Sequence, residues 1–170
     1  MKASEIVSNF GNPADTDNFV TIVSPFPLKL DWDLNKTVVK IMVHKQAAPS
    51  LSLILQELLD TYGLKAIEEL GINQFAGCFN NRAKRGTEER YKALIEAGQL
   101  NEAYEFLSLH AWALALDFDA DRNTWKETSK TARFARPEYK PMIDIFYKNG
   151  WYSLGREKNY DWMHFQFIKP

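Results

Sequence analysis

The chain alternates apolar and polar residues over 37–44, where Val39, Ile41 and Val43 fall on one side. A period of two residues is typical of a strand with one buried face. Residues 162–168 alternate in a similar way. The segment 111–119 also has the alternation of a strand. We therefore predict three strands in these regions.

Apolar residues spaced three or four positions apart predict helices elsewhere. One helix begins at Pro49, because proline is favoured in the first turn, and it ends at Gly71 after an interruption at Gly63. One or two further helices, divided near Gly98, are predicted over 88–106, and another helix is predicted over 138–148. The apolar stripe of the first helix consists of Leu51, Leu55, Leu58 and Tyr62.

Prolines at positions 13, 25 and 27 predict an irregular segment over residues 1–36, and we expect a second loop over 121–137. These elements add up to an α+β fold in which helices pack on a small antiparallel sheet. A length of 170 residues suits one domain with its own core, and no linker divides the chain.

Composition and charge narrow the class of protein. Hydrophobic residues make up 45% of the chain and charged residues 25%, as in ordinary globular proteins. A net charge of −1 gives the chain no electrostatic reason to bind nucleic acid or an anionic membrane. Residues 1–9 lack the apolar core of a signal peptide, and no stretch is apolar enough for membrane insertion. We expect synthesis in the cytoplasm.

Two histidines and two aspartates stand out because apolar residues surround them. His110 precedes the predicted strand over 111–119, Asp117 lies near the end of that strand, and Asp161 and His164 lie close to the C-terminus. Two imidazoles and one carboxylate are the protein ligands of an open catalytic zinc site, which keeps a fourth position for water. Zinc lowers the pKa of water to about 7, and Asp161 is placed to accept the proton.

Strand pairing would bring these groups together. If the strands over 111–119 and 162–168 are neighbours in one sheet, His164 stands beside Asp117. The only cysteine is Cys78, which excludes an intrachain disulfide and a cysteine-based zinc site. Single histidines are more often structural, so spacing alone leaves a zinc site and an accidental grouping as open alternatives.

Two motifs resemble those of a known family. Residues 108–117, Ser-Leu-His-Ala-Trp-Ala-Leu-Ala-Leu-Asp, resemble the SxHxxGxAxD signature of the zinc D-alanyl-D-alanine carboxypeptidases and L-alanyl-D-glutamate endopeptidases, peptidase family M15. Residues 161–164 are similar to the second motif, an acidic residue followed three positions later by histidine. The Asn81-Arg82 turn and residues 163–165 resemble the VanY-like and bacteriophage endolysin branch in particular.

The resemblance implies a fold and a role for each matching residue. The fold would be the zinc fold shared by Hedgehog proteins and D,D-peptidases. His110, Asp117 and His164 would bind Zn²⁺, Asp161 would be the general base, and Arg82 would stabilise the oxyanion. Residues that we expect to contact the substrate are Ser108, Trp112 and Gln166.

The chain departs from the family pattern at two informative positions. Ala113 stands where the signature has glycine, which adds a methyl group on the face that must admit metal and peptide. Gln166 stands where a glutamate is often found, so a partner of the last histidine would be neutral. The stretch between Arg82 and Ser108 is also longer than usual.

These features lead to one main functional hypothesis and one alternative. The main hypothesis is a monomeric zinc peptidase that cleaves bacterial peptidoglycan peptides, as a phage lytic enzyme made in the cytoplasm and acting on the cell wall. The alternative, favoured by Ala113 and Gln166, is a non-catalytic zinc-containing module that binds the wall or belongs to a virion.

Overall fold

The computed structural model describes residues 1–170 as an α+β fold, with helices against a sheet of six strands. The strands are β1 (Phe19–Leu30), β2 (Asp33–His44), β3 (Gln74–Gly77), β4 (Ala115–Phe118), β5 (Tyr152–Ser153) and β6 (His164–Gln166). The helices are α1 (Ala3–Phe10), α2 (Ala48–Leu70), α3 (Glu88–Glu96), α4 (Leu100–Tyr104), α5 (Lys140–Lys148) and α6 (Leu154–Lys158).

The α+β prediction is confirmed, but the sheet is mixed rather than antiparallel. Its strand order is β2-β1-β3-β4-β6-β5, and β1 and β3 run parallel, with Lys29 opposite Gln74 and Leu30 opposite Phe75. The cause is α2, which packs on β1 and returns the chain from edge strand β2 to the far side of β1. A helical crossover of this kind joins parallel neighbours.

The N-terminal segment is structured, so the prediction of an irregular 1–36 is wrong. It contains α1 and the twelve-residue strand β1. Pro25 and Pro27 fit within β1 because its register with β2 shifts between Val23 and Leu28. Proline is tolerated at such an irregularity, since no ladder hydrogen bond needs its missing N–H.

Helix α2 matches its sequence prediction closely. Pro49 lies in the first turn, Gly63 breaks the helical geometry with a φ of 73°, and Gly71 ends the helix in the left-handed conformation. Leucines of the predicted stripe have no exposed surface: they are Leu51, Leu55 and Leu58. Helices α3 and α4 flank Gly98, and α5 and the strand at 33–44 also lie where the pattern predicts them.

Aromatic packing joins helix α5 to strand β6, which also carries His164. Phe165 of β6 stacks on Phe146 of α5 with ring centroids 4.1 Å apart, and both rings are fully buried. Phe165 alternates with His164 and Gln166 along the strand, so its burial directs those two side chains to the other face.

No helix of the structure combines the length and the apolar character needed to cross a membrane.

Gly155 is predicted to be essential for the packing of Trp162. A Cβ at position 155 would meet the indole ring of Trp162 closer than carbon atoms approach one another. We expect Gly155→Ala to lower the free energy of unfolding by about 3 kcal/mol through overpacking and to alter the near-ultraviolet circular dichroism. Gly98→Ala is the matched control, because its Cβ meets nothing and only its positive φ is strained, at about 1 kcal/mol. Equal losses in both variants would contradict this explanation.

His44 is predicted to make stability fall in acid. Its Nε2 donates to the Phe10 carbonyl at 2.9 Å and its Nδ1 accepts from the Gln46 amide at 3.2 Å, and burial lowers its pKa. The unfolded chain therefore binds a proton at a higher pH than the folded chain, and stability drops as pH falls below 6.5. Urea unfolding at about pH 7.5 and about pH 5 should show a larger loss for the wild type than for His44→Gln. Identical losses would exclude this role for His44.

Candidate metal centre and cleft

The register between β4 and β6 places Asp117 directly opposite His164. The two strands are antiparallel neighbours, as the sequence predicts, although β4 begins only at Ala115 and β6 spans only three residues. Opposite residues on one face of an antiparallel pair have Cβ atoms about 5 Å apart. This pairing alone therefore brings a carboxylate and an imidazole within bonding reach of a shared ion.

His110 reaches the same point from a 3₁₀ turn, Leu109–Trp112, that precedes β4. Ser108 caps this turn, and its hydroxyl accepts from the His110 amide at 3.4 Å. Ala113 then adopts a left-handed conformation with a φ of 51°. The expectation that Ala113 lies on a strand face is therefore wrong: it is a fully buried hinge between turn and strand. Glycine would adopt this positive φ without strain, whereas alanine adopts it at a cost.

The three predicted ligands form a tight triangle. His110 Nε2 lies 3.2 Å from Asp117 Oδ2 and 3.3 Å from His164 Nδ1, and His164 Nδ1 lies 2.9 Å from Asp117 Oδ1. All three residues are buried, with at most 8% of their surface exposed. A ligand atom from each residue lies within 4.8 Å of the others.

These spacings fit a tetrahedral metal ion. Zinc binds imidazole nitrogen and carboxylate oxygen at about 2.0–2.2 Å, which separates the ligand atoms of a tetrahedral site by about 3.3 Å. The observed separations of 2.9 to 3.3 Å agree with that edge length. Two histidines and one carboxylate are also a donor set suited to zinc.

Hydrogen bonds on the far side of each ring orient the imidazoles of His110 and His164 towards the centre of the triangle. His110 Nδ1 donates to the Cys78 carbonyl at 2.6 Å, and His164 Nε2 donates to Gln166 Oε1 at 3.1 Å. With an ion bound, each bond would leave the lone pair on the ring nitrogen that faces Asp117, as in metal-binding histidines. Gln166 is itself fixed, because its Nε2 donates to the Ile168 carbonyl at 2.6 Å.

The electrostatics of the triangle favour an ionised aspartate. Burial alone raises the pKa of Asp117, but His110 and His164 beside it hold that pKa below its usual range. Burial lowers the pKa of His164, and its hydrogen bond to Asp117 more than offsets this, so the pKa is raised. Burial also raises the pKa of the Cys78 thiol, which stays protonated and donates to the Ala113 carbonyl at 3.8 Å.

Asp161 lies beside the triangle with an unused acceptor. Its backbone is left-handed, with a φ of 53°, and its Oδ1 is buried without a hydrogen-bond partner. Burial raises the pKa of Asp161, an effect that nearby His164 partly offsets. A buried, unpaired carboxylate oxygen is a suitable proton acceptor.

A cleft of about 800 Å³ opens next to Asp161 and His164. Arg82 lines it because its backbone carbonyl accepts from the Ser108 amide at 3.1 Å and Ala83 bridges to Leu107. The predicted residues in the lining are Arg82, Ser108, Asp161, His164 and Gln166. The lining residues that sequence reasoning did not assign to substrate include Lys84, Tyr104, Trp125, Tyr160 and Lys169.

Trp112 lies apart from this cleft. Its ring is 1% exposed, its Nε1 donates to the Gly11 carbonyl at 2.9 Å, and it packs in the hydrophobic core. The sequence led us to expect that Trp112 contacts the substrate, but its ring is buried and does not line the cleft. The sequence did not predict the contact between His110 and the Cys78 carbonyl, because every residue has a main-chain carbonyl and no residue type marks this one.

Comparison with known proteins identifies one family. Residues 101–167 match a family of M15 peptidases described as D-alanyl-D-alanine carboxypeptidase. No curated protein and no solved structure matches the chain. The matched range includes the triangle and Asp161, whereas Arg82 lies before it. The C-terminal part of the chain is therefore similar to the M15 peptidases, which supports a peptidase of the D-alanyl-D-alanine carboxypeptidase type.

Proposed function

We propose that this protein is a zinc-dependent peptidase that cleaves the stem peptides of bacterial peptidoglycan. The observation that carries the proposal is the triangle of His110, Asp117 and His164, which falls inside the range matched to a peptidase family. The cleaved bond would be D-Ala-D-Ala or L-Ala-D-Glu. We further propose the VanY-like, phage lytic branch, with synthesis in the cytoplasm and action as a monomer on the cell wall.

The residues of the site would have three roles: they would bind the ion, transfer a proton and stabilise the negative charge on the carbonyl oxygen. Zinc supplies Lewis acidity to the scissile carbonyl and makes water acidic enough to react near neutral pH. His110, Asp117 and His164 would hold it. Asp161 Oδ1 would accept the proton of the attacking water and pass it to the leaving amine. The Arg82 guanidinium would stabilise negative charge on the carbonyl oxygen.

The cleft agrees with an anionic peptide substrate. Four cationic side chains line it, against two carboxylates, and Glu105 already accepts from the Ala3 amide at 2.9 Å. Stem peptides carry free carboxylates, which guanidinium and ammonium groups bind through charge-assisted hydrogen bonds. The four cations are Arg82, Lys84, Arg85 and Lys169.

A non-catalytic zinc module that binds the wall or forms part of a virion is the second candidate. Gln166 favours it, because the neutral amide leaves His164 a less basic ligand than a carboxylate partner would. Stoichiometric zinc without turnover on any wall peptide would support this candidate over the peptidase.

The peptidase is tested by release of amino groups from purified peptidoglycan, with fragments identified by mass spectrometry. We expect activity that a chelator removes and zinc restores. His110→Ala should lower kcat/KM by at least about 10³-fold, and Arg82→Ala by about 10²–10³-fold. The fragment masses would identify the cleaved bond.

The third histidine provides the control for this experiment. His44→Gln lies outside the triangle and should retain zinc and activity near neutral pH. Activity that survives both the chelator and His110→Ala would exclude a zinc peptidase centred on these residues.

Gln166 is predicted to stabilise bound zinc by orienting His164. Gln166→Leu removes both of its hydrogen bonds, and we expect zinc affinity to fall about 10–100-fold in competition with a chelator. Gln166→Glu keeps the acceptor for His164 but faces the Ile168 carbonyl with a carboxylate, so it should lose stability rather than most of its zinc affinity. Gln99→Leu, at an exposed glutamine, is the control. Unchanged affinity in Gln166→Leu would exclude the orienting role.

A further inference from the structure

A second concave site lies in the long loop between β4 and α5. It has a volume of about 320 Å³, and its lining contains no apolar residue. It shares no residue with the cleft beside the metal centre. We call it the arginine pocket, and its lining consists of Arg122, Glu127, Thr131, Arg133 and Arg136.

Two of the three arginines are held in place by the protein. Arg122 Nε donates to Oδ1 of the fully buried Asp119 at 2.6 Å, and its Nη2 packs where a side chain at Gly71 would otherwise lie. Arg133 Nε donates to the Tyr139 hydroxyl, and its Nη2 donates to a main-chain carbonyl of α2 at 3.3 Å. These guanidinium groups are therefore fixed before any ligand arrives, which reduces the entropy cost of binding.

The loop that carries the pocket is also held by hydrogen bonds of Asn123. Asn123 is fully buried, and its Oδ1 accepts from the Phe134 amide at 2.6 Å while its Nδ2 donates to Asp119 Oδ2 at 3.2 Å. Its main-chain carbonyl accepts from Met163 beside β6. Asn123 therefore links the segment that carries Arg122 to the segment that carries Arg133 and to the residue before β6.

Hydrogen-bond donors in the pocket remain unused. Arg136 makes no side-chain hydrogen bond or ion pair, and Glu127 pairs with none of the three arginines. The Thr131 hydroxyl accepts from the Thr128 amide at 3.1 Å and keeps its proton free to donate. Asp119 is the counterion of Arg122, and Glu127 is the only acidic residue of the lining. Like charges brought together in this way favour an anionic ligand.

We propose that the arginine pocket binds a phosphate group, as inorganic phosphate or as a phosphate monoester. The tetrahedral oxygens of phosphate accept hydrogen bonds from donors in several directions, which suits a pocket lined by three arginines. A carboxylate presents two oxygens in one plane and matches a single fork. The absence of apolar residues from the lining disfavours an apolar ligand.

The test is a titration of the full-length, ¹⁵N-labelled protein with inorganic phosphate, at constant ionic strength and near neutral pH. We expect saturable amide shifts confined to residues 122–136, with glycerol 3-phosphate giving the same shifts. Arg136→Gln, which removes no contact within the protein, should weaken binding about tenfold. Glu127→Gln removes the only acidic residue of the lining and should tighten binding about threefold.

Lys130→Gln is the matched control, because this exposed residue of the same loop loses the same charge without lining the pocket. The affinity of this variant for phosphate should equal that of the wild type. Absence of saturable shifts over 122–136, equal binding by Arg136→Gln and wild type, or equal binding of acetate and phosphate would each overturn the proposal. Shifts around His110 would report the metal centre instead, so the pocket and the proposed peptidase are tested separately.

Discussion

The pairing of β4 with β6 is the constraint on which the candidate active centre depends. It sets Asp117 opposite His164, and the same register buries Phe165 against α5 on the other face of the sheet. Core packing and ligand placement are therefore two results of one alternation, since successive residues of a strand point to opposite faces. A change that loosened the aromatic core beneath β6 would also misplace the imidazole above it.

Hydrogen bonds around the triangle orient its two histidines. The Cys78 carbonyl and the Gln166 amide accept from the outer nitrogen of each histidine, so the nitrogen that faces Asp117 is the one that would bind a metal ion. An amide suits position 166 because it joins an N–H donor on His164 to a carbonyl acceptor on Ile168. Only a side chain with both an acceptor and a donor satisfies these two neighbours.

The sequence predicted helix α2 and its break at Gly63 from local pattern alone. The grouping of His110, Asp117 and His164 followed from the alternation of two strands together with the family resemblance. Several contacts between distant segments were missed. Strand β1 was missed because two prolines are normally unfavourable in a strand, and only its shifted register with β2 makes room for them. The core position of Trp112 depends on contacts with Gly11, which no local pattern records.

The left-handed conformation of Ala113 also constrains the number of residues between His110 and Asp117. Strand β4 starts two residues after this hinge and lasts four residues, so Asp117 has one possible orientation. An insertion or deletion of one residue between His110 and Asp117 would turn the aspartate to the opposite face of the sheet and leave Leu116 or Phe118 facing the histidines. The interval between the two ligands is thus a property of the backbone, and it would stay fixed whichever ion the site holds.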